Sequence, residues 1–223
     1  MVCRILMVHF LRLSEDPMAK RSALLPFIIL GLFAILACGR FSQVLNEEPK
    51  TPGEPSRSFT LDGKEWSSFD LDQTDIHVEL PGEPSDKSPE MLRSHKTEFS
   101  AMRIYSYDDK DFASSYTQLE PAGKRRIQIK EMADTSMASL KRQLPDLTYT
   151  LDIQSDTNAK YSGTFTRNGK SFLVRGCCVY KKAEPRRVWA VLTLFAEDNS
   201  DARDAGQRII DSVVFDGSSE ECK

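Results

Sequence analysis

The dipeptide Asn168-Gly169 is the feature that most constrains how this chain folds. It lies between two runs of alternating polar and apolar side chains, 161–167 and 170–180. Both central positions of a two-residue hairpin need a positive φ, which Asn and Gly adopt more readily than other residues. The two runs are therefore predicted to pair as an antiparallel hairpin.

Strand patterns continue on both sides of this hairpin. Residues 147–153 begin with strict alternation, which indicates a half-buried strand. Residues 187–196 (RVWAVLTLFA) are nearly all apolar and predict a central strand covered on both faces. Earlier in the chain, short strands are predicted at 66–70 and 75–80, and a longer one at 99–107.

Two segments have helical spacing instead. In the segment 125–144, apolar residues recur every three or four positions. Pro145 ends this segment because the residue before a proline is disfavoured in the helical conformation. A second helix is predicted to start at a cap formed by Asn199, Ser200 or Asp201. An antiparallel β-sheet flanked by helices is an α+β fold, which is the fold class predicted here.

The predicted domain spans 59–216 and is followed by 217–223, which are predicted to be a flexible tail. The preceding stretch, 38–58, contains Pro49, Pro52 and Pro55 among charged residues. Such a composition cannot bury enough apolar surface to fold, so it is predicted to be a disordered tether. A chain of this length usually forms one core.

An uncharged apolar segment, Ala23–Cys38, precedes the tether and follows Lys20 and Arg21. Its length gives a helix of about 24 Å, which is short of the ~30 Å hydrocarbon core of a bilayer. The pattern predicts that 1–37 is a secretory signal peptide. The alternative is an uncleaved anchor with Cys38 as a small buried residue, and both interpretations place the domain outside the cytoplasm.

The last four residues of this segment, Ile35-Leu36-Ala37-Cys38, resemble a bacterial lipobox. Leu36 is bulkier than the residue usually found at its position. The resemblance implies a lipoprotein, with diacylglycerol on the Cys38 sulfur, removal of the leader, and palmitate-type acyl chains as the membrane anchor. Gly39 follows instead of Asp, which in a diderm cell resembles a signal for the outer membrane or the periplasmic face.

The start of the chain is a separate question. Residues 1–17 add a second apolar run and an acidic pair ahead of the basic residues. Starting at Met18 gives a compact signal, and we expect Met18 to be the true start. The alternative is a longer basic region.

The charge of the mature chain argues against nucleic acid as a partner. The first 37 residues carry four basic and two acidic residues, which leaves 26 Lys+Arg, 31 Asp+Glu and a net charge of −5. Nucleic-acid-binding domains normally carry a basic face.

Three cysteines lie beyond the lipobox, where disulfides can form outside the cytoplasm. Cys177 and Cys178 are neighbours in a predicted strand and therefore point to opposite faces. Either Cys177 or Cys178 could form a disulfide with Cys222, and the remaining cysteine would then be a small core residue. The alternative is that all three stay reduced.

The best candidate metal ligands are Asp75, His77 and Glu79, which alternate onto one face of a predicted strand. Three such oxygen and nitrogen donors can contact one cation if a fourth group approaches. A solvent-facing polar stripe opposite Ile76 and Val78 explains the same pattern and is the favoured interpretation, so no metal or cofactor is expected.

Catalysis is not predicted either. His77 and His95 are the histidines beyond the leader, and the sequence contains no G-x-S-x-G motif. Cys177 and Cys178 lie within a strand, where thiols usually serve packing. No catalytic residue is assigned, and the protein is expected not to be an enzyme.

The order of elements, together with HVELPGEP at 77–84 and VWAVLTLFAEDNSDARDAGQRIIDSVVF at 188–215, resembles the PsbP-like α/β/α sandwich. That group includes bacterial envelope lipoproteins of the DcrB kind. The likeness covers roughly 60–215; Phe usually follows the Ser of the last motif, and here Val213 does. The resemblance implies a binding or assembly module without a dedicated catalytic site, although fold alone does not define function.

Two functional hypotheses follow. The first is a non-catalytic, membrane-anchored envelope lipoprotein whose domain binds a protein partner of unknown identity. The second is a periplasmic protein that binds a metal or small ligand at the Asp75, His77 and Glu79 face.

Overall fold

The computed structural model describes residues 59–88, 99–109, 111–123 and 127–223. Its strands are β1 (Ser67–Leu71), β2 (Ile76–Leu80), β3 (Ser85–Asp86), β4 (Phe99–Asp109), β5 (Phe112–Pro121), β6 (Thr148–Ile153), β7 (Asn158–Arg167), β8 (Lys170–Lys181), β9 (Arg187–Ala196) and β10 (Val214–Phe215). Its helices are α1 (Ile129–Gln143) and α2 (Ser200–Ser212).

The described strands form two antiparallel sheets. The larger sheet has seven strands in the order β3-β4-β5-β9-β8-β7-β6, and the smaller has three in the order β1-β2-β10. The β7–β8 hairpin turns at Asn168 and Gly169, whose φ values are 50° and 76°, as the sequence predicts. The apolar strand β9 is the fourth of the seven, which explains why both its faces are apolar.

The two faces of the large sheet bury separate apolar cores. On one face α1 packs through Met132, Met137 and Leu140, and these join side chains of β7, β8 and β9. On the other face the small sheet and α2 pack over Trp189, Val191 and Phe195 of β9. Successive residues of β9 therefore alternate between the two cores, because strand side chains alternate between faces.

The strand β5 is not predicted by the sequence pattern. It pairs with β4 and β9, and most of its residues are buried. Its buried positions include polar side chains such as Ser114, Ser115 and Gln118. These side chains interrupt the continuous apolar run that would otherwise have indicated a central strand.

The helices begin and end close to the predicted positions. Helix α1 starts at Ile129, later than predicted, because Gln128 has an extended backbone with φ −114° and ψ 104°. Helix α2 is capped by Asn199, whose side chain accepts a hydrogen bond from the Ala202 amide. The predicted α+β class, an antiparallel sheet flanked by helices, is confirmed.

Candidate functional site

His77 of β2 is held between two carboxylates. Its Nδ1 contacts the Asp70 carboxylate, and its Nε2 lies 2.8 Å from Oδ2 of Asp216. The hydrogen bond to Asp216 raises the pKa of His77 above its ordinary value; burial lowers it, and the charges of Asp216, Asp70 and Asp75 raise it further. Both ring nitrogens are engaged, so neither is free to ligate a metal ion.

Asp75 and Glu79 have partners of their own. Asp75 lies just before β2 with φ 56°, and its Oδ2 is 3.0 Å from Nε of Arg187. Arg187 also lies 3.2 Å from Glu120, through Nη2. Glu79 forms an ion pair with Arg208, in which Oε2 of Glu79 lies 2.8 Å from Nη2 of Arg208.

The hypothesis that Asp75, His77 and Glu79 share one cation therefore does not match the geometry. Each side chain pairs with a different element, because the turn before β2 directs Asp75 toward β9 while α2 supplies Arg208 to Glu79. Among the residues that the structure describes, no group of three His, Cys, Asp or Glu side chains is arranged to hold a metal ion. This polar stripe is a set of ion pairs between elements.

Cys177 of β8 forms a disulfide with Cys222, with their Cα atoms 5.3 Å apart. Cys178 keeps a free thiol, which is 1 % exposed. Burial raises the pKa of Cys178 to about 12, so its reactive thiolate is scarce at neutral pH. Cys177 belongs to the core under the small sheet and Cys178 to the core under α1. Cys38, the predicted lipidation site, lies outside the described residues.

Residues 217–223, predicted to be a flexible tail, are instead held against the fold. Glu220 accepts hydrogen bonds from Thr157 Oγ1 at 2.6 Å and from Asn158 Nδ2 at 2.9 Å. The hydrogen bond from Thr157 is the largest effect that lowers the pKa of Glu220; burial opposes it, and the bonds from Asn158 and Ser155 add to the lowering. Cys222 is 4 % exposed. Disulfide and hydrogen bonds together fix this tail against β8 and the β6–β7 connection.

A turn that sequence reasoning missed joins β1 to β2 and packs against the large sheet. Gln73 and Asp75 have positive φ values of 58° and 56°. Between them Thr74 is buried, and its carbonyl accepts a 2.7 Å hydrogen bond from Trp189 Nε1. The polar run Asp-Gln-Thr-Asp indicates a turn, but no sequence signal indicates that a tryptophan from β9 would bind it.

No helix in the described part of the chain combines the length and the apolar character needed to cross a bilayer. No protein-family model matches the chain. No curated protein matches it either.

Two solved structures are similar to the chain at low identity. The Ran-binding protein Mog1p of Saccharomyces cerevisiae is 9 % identical, with 68 % of this chain and 96 % of that chain covered and a TM-score of 0.39. LpqN of Mycobacterium tuberculosis, involved in cell envelope biogenesis, is 12 % identical, with 75 % and 88 % covered and a TM-score of 0.36. The fold of this chain is defined by its own strand pairing and helices, independently of these two structures.

Proposed function

We propose that this protein is an exported, non-catalytic binding module held at a membrane by a lipid on Cys38. The observation that supports export, on which the rest of the proposal depends, is the Cys177–Cys222 disulfide. Disulfides form and persist in oxidising compartments and are rare in the cytosol. The lipobox-like Ile35–Cys38 supplies an anchor in the same compartment, and the resemblance to PsbP-like lipoproteins of the DcrB kind agrees with both.

The non-catalytic part of the proposal is supported by the state of the cysteines and of His77 in the part of the chain that the structure describes. The Cys178 thiol is buried with a raised pKa, and Cys177 is oxidised. Both nitrogens of His77 contact carboxylates. Cys178 packs in a core, and Cys177 and His77 join different parts of the fold. Such structural use suits a domain whose role is to bind a protein partner.

Intact mass measurement of the membrane-extracted protein tests the anchor. The expected mass is that of a chain beginning at Cys38 with added acyl groups. Cys38→Ser should retain the leader and lose the acyl mass, whereas the matched control Cys178→Ser should be cleaved and acylated like the wild type. A wild-type chain that retains its leader and carries an unmodified Cys38 would contradict the proposal.

Partner binding needs a separate experiment. Two baits are used: the lipidated wild type, and a chain that begins at residue 39 and therefore lacks both the leader and the lipid. We expect chemical crosslinking in solubilised envelope to recover one protein in a stoichiometric complex with both the lipidated and the lipid-free bait. Recovery of abundant porins alone would argue against a specific partner.

A further inference from the structure

Residues 217–223, here called the strap, follow β10 and Asp216. Phe215 still pairs with Ile76 of β2, and the Asp216 amide donates a 2.9 Å hydrogen bond to the Asp75 carbonyl. Beyond this point Cys222 is the one strap residue that is buried. Its bond to Cys177 is therefore the strap's connection to the apolar interior.

The strap's other attachments are polar and partly exposed. Glu220 accepts from Thr157 and Asn158, and the Glu221 carbonyl accepts from Asn158 Nδ2 at 3.0 Å. Hydrogen bonds to a carboxylate contribute more than bonds between neutral groups, but they still replace bonds to water, and ordering a chain segment lowers its entropy at every residue. The hydrogen bonds and the disulfide hold the strap together, and the disulfide is the attachment that reduction can remove.

Cys222 inserts into an apolar core. Cys177 is fully buried and belongs to the same core as Val179, Trp189 and Val191. Removing Cys222 from this core would bring solvent to Cys177 and its neighbours. An opening there would change the surface that the domain presents.

We propose that the Cys177–Cys222 bond is a redox-operated clasp, closed when oxidised and opened by a dithiol reductant. A thiolate of the reductant attacks Sγ of Cys222, the cysteine that keeps some exposure (4 % against 0 % for Cys177), and the S–S bond breaks. Cys177 leaves as a thiolate and takes up a proton. The second thiol of the reductant then displaces Cys222, which also becomes a thiol, and the reductant becomes a cyclic disulfide.

The opening is local because other contacts hold the chain up to Phe215. The Phe215 ring stacks on Trp189 with centroids 5.1 Å apart, and β10 remains paired with β2. Cys178 faces the opposite core and takes no part. The clasp is independent of the lipid on Cys38, so failure of the anchor would leave it unaffected.

Hydrogen exchange measured by mass spectrometry on the full-length protein tests the clasp. Three samples are compared with the oxidised wild type: the wild type reduced with dithiothreitol, Cys222→Ser, and Cys178→Ser as the control. Amides of 217–223 and of the adjoining loop 155–158 should exchange at least ~10-fold faster in the first two samples. Cys178→Ser should match the oxidised wild type in these segments.

Two results would overturn the proposal. Unchanged exchange in 217–223 after reduction would show that the strap is held without the disulfide. Faster exchange throughout β9 and α1, in the reduced wild type or in Cys222→Ser, would show that the bond supports the whole fold and does not act as a local clasp.

Discussion

The indole Nε1 of Trp189 donates a hydrogen bond of 2.7 Å to the carbonyl oxygen of Thr74. Trp189 lies at the centre of the large sheet, and Thr74 lies in the turn between the first two strands of the small sheet; both are fully buried. The bond therefore joins the two sheets at a turn whose flanking residues, Gln73 and Asp75, have positive φ values. It also satisfies a carbonyl that is out of reach of water.

We expect Trp189→Phe to lower the free energy of unfolding by about 1–3 kcal/mol, because it leaves this buried carbonyl without its donor. The smaller ring adds a packing loss. Urea unfolding measures the change. Trp66→Phe is the matched control: Trp66 is partly exposed and lies under the Arg208 guanidinium at 4.1 Å, so its loss should stay below about 1 kcal/mol. Equal losses in both variants would show that the hydrogen bond contributes nothing.

Gln118 gives the opposite expectation. It is 1 % exposed, and neither its Nε2 nor its Oε1 has a hydrogen-bond partner among the described residues. Replacing a buried, unpaired amide with an apolar side chain of similar shape removes a desolvation penalty. Gln118→Met should therefore leave stability unchanged or raise it by about 1–2 kcal/mol.

Ser114→Ala is the control for Gln118, since both lie on the same face of β5. Its Oγ accepts the hydrogen bond of the fully buried Tyr116 hydroxyl at 3.0 Å. Removing it should destabilise the protein by about 1–3 kcal/mol. If Gln118→Met were as destabilising as Ser114→Ala in chemical unfolding, the amide would have to be satisfied in the folded protein.

The sequence reveals an element of this fold where its buried positions carry apolar side chains and its exposed positions carry polar ones. The β7–β8 hairpin is evident because Asn168 and Gly169 are the residues that its turn needs, and β9 is evident because both its faces are apolar. Strand β5 is hidden because Ser115 and Gln118 are buried polar residues. A local pattern cannot distinguish such a strand from a loop.

The candidate site was less predictable than the fold. The alternation of His77 and Glu79 is visible in the sequence, but Asp216, Arg187 and Arg208 reach this region only through long-range packing. From the sequence, Cys222 could pair with Cys177 or with Cys178, or all three cysteines could stay reduced. Which of the two faces the tail depends on which face of the large sheet carries the small sheet, and this is a property of the folded chain.

His77 predicts a pH dependence of stability. It faces Asp70 from β1, Asp75 from the turn and Asp216 after β10, and its pKa is raised above the ordinary 6.5, chiefly by the hydrogen bond to Asp216. A raised folded-state pKa means that protonation stabilises the fold. The contribution is complete below about pH 6.5 and is lost as pH rises through the folded-state pKa.

The magnitude should be below about 1 kcal/mol, because His77 is 35 % exposed and its partners more so, and solvent screens such pairs. The test compares urea unfolding of the wild type and His77→Gln at pH 5.5 and pH 9. The stability advantage of the wild type over His77→Gln should shrink at the higher pH. In an Asp216→Asn background, most of this change between pH 5.5 and pH 9 should disappear. A constant advantage across this range would contradict the ion-pair interpretation.

Gly176 of β8 is the position where a single methyl group should be most damaging. A Cβ there would lie 2.0 Å from the Val191 carbonyl oxygen and 2.6 Å from Cε2 of Tyr161. The carbonyl belongs to the neighbouring strand β9, and the Tyr161 hydroxyl donates a hydrogen bond to it. Neither group can move without disturbing the β8–β9 pairing. We expect Gly176→Ala to destabilise the protein by about 3 kcal/mol or more.

Gly169→Ala separates this packing effect from a backbone effect. No atom lies within 4 Å of a Cβ at Gly169, but its φ of 76° disfavours alanine. Its cost should be about 1–2 kcal/mol, set by the left-handed conformation alone. In thermal unfolding at one scan rate, the Tm of Gly176→Ala should therefore be well below the Tm of Gly169→Ala. The reverse order would mean that β8 and β9 can separate enough to admit the methyl group, and the close approach of these central strands would then be of little energetic importance.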